Sequence, residues 1–167
     1  MPITYEEPVR QDEFIPGQSN AVGAAAQELT RRVREDLEKM FDSVYRSAKA
    51  RSEHDRRRVY ALAKLRLNWD SYGAPAPNES SVANAIRVLN LLETLNLDPT
   101  RILPSAEGGV GICFVRGDRY ADIECSNEGE VLGVYYVGEQ MPTLLETDAT
   151  DAAISAALER IRNHIRA

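Results

Sequence analysis

Histidine, cysteine and tryptophan are scarce in this chain, with two, two and one among 167 residues. His54 lies in a charged helical stretch and His164 near the end of the last helix, and neither stands beside a serine or cysteine elbow. No signature for nucleophilic catalysis is therefore present. Two cysteines and two histidines, far apart in sequence, give no tightly spaced ligand set of the kind a zinc site uses. No apolar run approaches the ~18 residues of a membrane span. The opening stretch is acidic and lacks an apolar core, so no signal peptide is expected and the compartment reads as a reducing cytoplasm. A net charge of −6 argues against a general nucleic-acid binder. Repeats and low-complexity tracts are absent, and nothing points to a cofactor.

What remains is ordinary globular composition, 43% hydrophobic and 28% charged. The length suits one domain with an appendage and is enough to bury a core without disulfides or metals. Charge is unevenly spread. Residues 46–66 carry eight basic side chains against two acidic ones, a local +6, which leaves −12 for the rest.

Residues 1–20 hold Pro2, Pro8 and Pro16 and a Gly-Gln-Ser-Asn turn cluster, which predicts an irregular tail. Residues 21–67 contain no proline and only Gly23. Leu29, Val33, Leu37, Met40, Phe41, Val44 and Ala48 recur at three- and four-residue spacing, an apolar stripe along a helix. The 33–37–40–44 part is heptad-like but short for a coiled coil, and a homo-oligomer through helix 29–48 is one expectation. The stripe lapses over 50–55 and resumes at Val59, Leu62, Leu65 and Trp69. That fits two helices with a break near 50–54, or one long helix wet on all sides at its middle.

The stretch 68–78 is dense in punctuation: Gly73, Pro75 and Pro77, with Asn78 as an N-cap. It separates a helical arm, 21–67, from a compact body, 68–167. The body begins with a helix over 79–95 whose buried face is read as Val82, Ile86, Leu89, Leu92 and Leu95, widened by Leu91. A β-meander follows. Ile102-Leu103 suits a short edge strand, and 110–115, 119–125 and 131–137 are three full strands. Residues 141–147 are a loop or a fourth, edge strand. A last helix starts near an Asp148 cap and runs to Ile165. The fold class expected is thus α+β: helical arm, helix, three- to four-stranded antiparallel meander, C-terminal helix.

Gly117-Asp118 is a two-residue turn of type II′ character, which fixes the register of its hairpin. Paired positions sum to 235, so Cys113 faces Asp122 and Cys125 faces Val110. The two cysteines then lie on opposite faces of the sheet and cannot join. Val110, Ile112, Phe114, Ala121, Ile123 and Cys125 share the core face. The other face carries Cys113, Val115, Tyr120, Asp122 and Glu124.

Three sets of residues invite a functional reading. Arg51 with Arg56, Arg57 and Arg58 forms a basic surface suited to phosphates or an acidic protein face, or else a solvated face balanced by nearby acids. Trp69 and Tyr72 flank the junction, as interface anchors or, for Trp69, as a plug against the sheet. Asp122 and Glu124 place two carboxylates on one strand face, a weak metal-site pattern that lacks the lysine a nuclease would add. Glu107-Gly108-Gly109-Val110-Gly111 is glycine-rich but precedes a strand, so it reads as a turn and not as a phosphate cradle.

Asn68-Trp69-Asp70-Ser71-Tyr72-Gly73-Ala74, followed by a helix, Pro104 and then Gly108-Gly109-Val110 opening a strand, resembles a loose group of small bacterial proteins. These share N-W-D-x-Y-G-A and a downstream P…G-G-[IV] strand. The likeness spans about residues 65–137 and leaves out the arm. Members often carry a tryptophan after the paired glycines, where this chain has Phe114 or a neighbour. The resemblance implies a bacterial origin and a modular body, and it brings no mechanism with it. With no catalytic constellation, the function expected is a non-enzymatic protein-interaction module of antitoxin, immunity or defence-accessory type, with a protein partner at the arm or tail. The alternatives are a nucleic-acid-associated factor using the basic arm and a metal-dependent hydrolase using Asp122 and Glu124.

Overall fold

The computed structural model describes residues 18–167, with side chains from Gly23 onward. The expected tail over 1–20 lies outside the described residues, apart from the last three positions, which open the first helix. The chain divides between Ser47 and Ala48 into two units. The boundary falls inside a helix, where the sequence placed it at 67/68.

Helix α1 spans Gln18–Leu62, 45 residues without interruption. The break considered near 50–54 does not occur. Ser52, Asp55 and Arg56, which look merely wet in sequence, are each partly buried. The helix ends five residues earlier than expected. Lys64 and Leu65 donate to the carbonyls of Ala61 and Leu62 in tightened final turns, and Asn68 then takes a left-handed conformation at φ 66°.

Helix α2, Glu79–Leu95, starts where Asn78 Oδ1 accepts the Ser81 N–H at 3.0 Å. It stops where Asn96 turns left-handed and Leu97 N–H reaches back to the Leu92 carbonyl. Its buried face is Ser81, Ala85, Val88, Leu89 and Leu92. Val82, Ile86, Leu91 and Leu95 only flank the core, so the helix is rotated from the face expected. The cause lies at its first turn. Ser81 is buried because its hydroxyl bonds to Asn78 and Asn127.

Five strands follow: β1 Arg101–Pro104, β2 Gly109–Arg116, β3 Arg119–Ser126, β4 Val131–Val137 and β5 Thr143–Glu146. They form one antiparallel sheet in the order β1-β2-β3-β4-β5. The expected three to four strands become five because both short segments, 101–104 and 143–146, pair over four residues each. The β2–β3 register is the expected one, with Cys113 opposite Asp122 and Val110 opposite Cys125. Helix α3, Asp151–Arg166, is capped by Thr150 and not by Asp148; Asp148 instead accepts from Thr150, two residues on.

Helices α2 and α3 cover one face of the sheet. Ile102, Val110, Ile112, Phe114, Ala121 and Ile123 line that face and are essentially closed to water. Ile154, Leu158 and Ile161 of α3 meet them, as does Val59 from the last turns of α1. No described helix is long and apolar enough to cross a membrane.

Candidate functional site

Within the unit ending at Ser47, the described residues form an amphipathic helix. Leu29, Val33, Leu37, Met40, Phe41, Val44 and Tyr45 keep between 44% and 69% of their surface in water. At about 100° per residue they fall within roughly 160° of the circumference, one broad stripe. The opposite side is held by local ion pairs: Arg31 to Glu28 at 2.7 Å and to Glu35 at 2.5 Å, and Arg32 to Glu28 at 2.7 Å. The Arg31 and then the Arg32 guanidinium hold the Glu28 carboxyl below its usual range. Exposed pairs of this spacing add little stability.

The four arginines singled out in the sequence belong to the second unit. Arg56 donates to Glu93 at 2.6 Å, Asn90 at 2.8 Å and Ser52 at 2.6 Å. Arg58 donates to the Ile102 carbonyl at 3.0 Å, tying α1 to the edge strand. Arg51 stands 3.6 Å from Asp98. Among the described residues, Arg57 makes only a helix-internal contact with the Glu53 carbonyl. An open groove of about 410 Å³ gathers Arg51, His54 and Arg58 with Asp55 and Asp98, so its cations and anions are mixed. Burial pushes the Asp55 carboxyl up.

Trp69 and Tyr72 part company. Trp69 is half-buried, outside the central core, with Nε1–H donating to the Pro75 carbonyl at 3.2 Å. Tyr72 is 94% exposed. Asp70 organises their loop. Its Oδ1 accepts the N–H groups of Tyr72 and Ala74, which hold the carboxyl below its ordinary range.

On the sheet face turned away from α2 and α3, one row runs Arg101, Cys113, Asp122, Val134, Leu144. The Tyr120 hydroxyl donates to Asp122 at 2.9 Å and lies 3.6 Å from the Cys113 sulfur, while its ring stacks on Tyr136. Burial pushes the Asp122 carboxyl up, against the pull of that hydrogen bond, and pushes the Cys113 thiol and the Tyr120 hydroxyl up as well. Burial also raises Cys125, to about 12. Neither thiol is poised as a thiolate. Glu124 lies one row away, beside Gly111 and Leu132. His164 is bound to the Tyr136 carbonyl at 3.0 Å and rests on Tyr135. Among the described residues, no three His, Cys, Asp or Glu side chains converge as a metal site would require.

One hub escaped the sequence reading. Asn127 accepts from Asn78 N–H and the Ser81 hydroxyl, donates to the Ala76 carbonyl, and offers its own carbonyl to Asn78. It fastens the Pro-rich connector to the β3–β4 turn. Gly108 packs against it; a Cβ there would lie 2.6 Å from the Asn127 amide nitrogen. Gly109, at φ 129°, would place a Cβ 2.3 Å from the Cys125 carbonyl oxygen. The paired glycines therefore serve close packing. In the sequence, Asn127-Glu128-Gly129 marks a turn and Asn78 a helix cap, but nothing there joins the two.

No family model, curated protein or solved structure matches the chain.

Proposed function

We propose that the protein is a non-enzymatic interaction module that docks another protein chain through the apolar face of α1 between Leu29 and Tyr45. The single observation behind this reading is the exposure of seven large apolar side chains on one stripe. A contiguous apolar patch of that extent on a soluble surface marks a binding site far more often than an accident of composition. The chemistry elsewhere agrees. The second unit's titratable cluster, Tyr120 with Asp122 and Cys113, is satisfied internally and sits where burial suppresses its charged forms. Arg51 and Arg56 have carboxylate partners within the same unit, which weighs against a basic surface reserved for phosphates. A chain of this kind suits a cytoplasmic bacterial system in which one component acts by occupying another, as antitoxins, immunity proteins and defence accessories do.

The test is affinity capture with the tagged chain and with a variant carrying Leu37→Gln and Val44→Gln. Glutamine keeps helix propensity while removing the apolar surface. The wild-type chain is expected to retain a protein that the variant loses. Equal retention by both would remove the reading.

A further inference from the structure

We propose that the occupant of the α1 stripe is a second copy of this chain, the two helices packing along Val33, Leu37, Met40 and Val44. This rests on the docking role argued above and names its partner.

Spacing comes first. Positions 33, 37, 40 and 44 alternate four- and three-residue steps, the a/d pattern that one helix presents to another of the same period. All four are about half exposed or more, at 50%, 44%, 53% and 60%. The natural complement of such a seam is an equal seam, and this chain carries one.

Charge comes second. Residues 23–47 hold five acidic and five basic side chains. A neutral rim lets two copies approach without the like-charge cost that a strongly acidic or basic arm would impose. It also offers nothing to select a polyanionic partner. Most of these charges lie away from the stripe, and six of the ten are already paired along the helix: Glu28 with Arg31 and Arg32, Arg31 with Glu35, and Lys39 with Asp36.

Area comes third. The four seam side chains with Leu29 and Phe41 offer on the order of 100 Å² each, about 600 Å² per helix, approaching the roughly 800 Å² per partner of a standard stable interface. Leu29 and Phe41 flank the four seam positions on either side, so covering the seam also shelters them.

The deciding measurement is sedimentation equilibrium on the full chain, with the Leu37→Gln, Val44→Gln variant beside it. The expected result is a wild-type mass of twice 18.6 kDa and a variant mass of 18.6 kDa. The urea midpoint of the second unit serves as a control and should stay unchanged in the variant. A wild-type chain that stays monomeric at every concentration overturns the proposal. In that event, weak binding of an apolar fluorescent dye would mean that residues 1–17 of the same chain cover the stripe, and strong binding would leave it to a different protein. A dimer that survives both substitutions also overturns it, because the contact then lies elsewhere. The two readings fail separately: a monomer whose captured protein is still lost in the variant keeps the docking role and removes the second copy.

Discussion

Helix α1 is one continuous helix with two fates. Before Ser47 its large apolar side chains stand in water; after Ala48 Val59 is completely closed off and Leu62 packs against the core. The apolar stripe of the first part lapses over 50–55 and resumes at Val59 and Leu62 in the second. Among the described residues, tertiary partners cover the second part and not the first. Most helical stability in water comes from such cover and little from propensity. The exposed stripe, persisting through several turns, is the surface on which the proposed docking rests.

The sharpest way to break this contrast uses two phenylalanines. Phe114 is 1% exposed and Phe41 66%. Phe114→Ala should cost about 3–5 kcal/mol in urea unfolding. Phe41→Ala should leave that transition within about 0.5 kcal/mol while weakening association. Equal losses would mean that Phe41 belongs to the folding core. Val59→Ala against Val44→Ala repeats the comparison on one helix, with about 2 kcal/mol expected for the first and nearly nothing for the second, read by the same denaturation.

Within the second unit, Arg56→Ala should cost about 1–2 kcal/mol because it strips partners from Glu93 and Asn90, whereas Arg57→Ala should fall within about 0.5 kcal/mol. Thermal unfolding of the two variants checks this; a reversed order would assign the tertiary contact to the wrong arginine.

The smallest effect is a pH dependence. Burial raises the Asp122 carboxyl above its unfolded value. The folded state then holds the proton more tightly, and stability falls as pH rises from the unfolded value, about 4, through the folded one. Asp122→Asn removes the charged form and keeps an acceptor for Tyr120. It should raise the unfolding midpoint at neutral pH and lose that advantage in acid. A gain that is the same at both pH values would show that burial of charge is not its cause.

The parts of the fold written in local sequence were legible. Gly117-Asp118 allows only a two-residue turn, so the pairing of every residue in β2 and β3 followed by counting. Asn78 after Pro77 and Asn96 at the far end bound α2 because both caps are local chemistry. Illegible were features set by distant partners. Ser52 and Arg56 interrupt an apolar stripe in sequence, yet Glu93, 41 and 37 residues away, receives both, and the helix passes through. Segment 143–146 reads in sequence as either a loop or an edge strand, and its hydrogen bonds to β4 decide for the strand. The Asn127 hub joins residues 49 apart, which no periodicity encodes. As for the candidate site, the stripe was visible as a pattern, but a pattern reads the same whether a core or a stranger covers it. Only its exposure separates the two.

Sheet order equals chain order, so each strand's neighbour is the next segment to be made. Closing loops this short costs little entropy, and topologies rich in near-sequence pairings fold fast. During synthesis β1 to β5 can therefore pair in the order in which they are made, beside an α2 that precedes them in the chain.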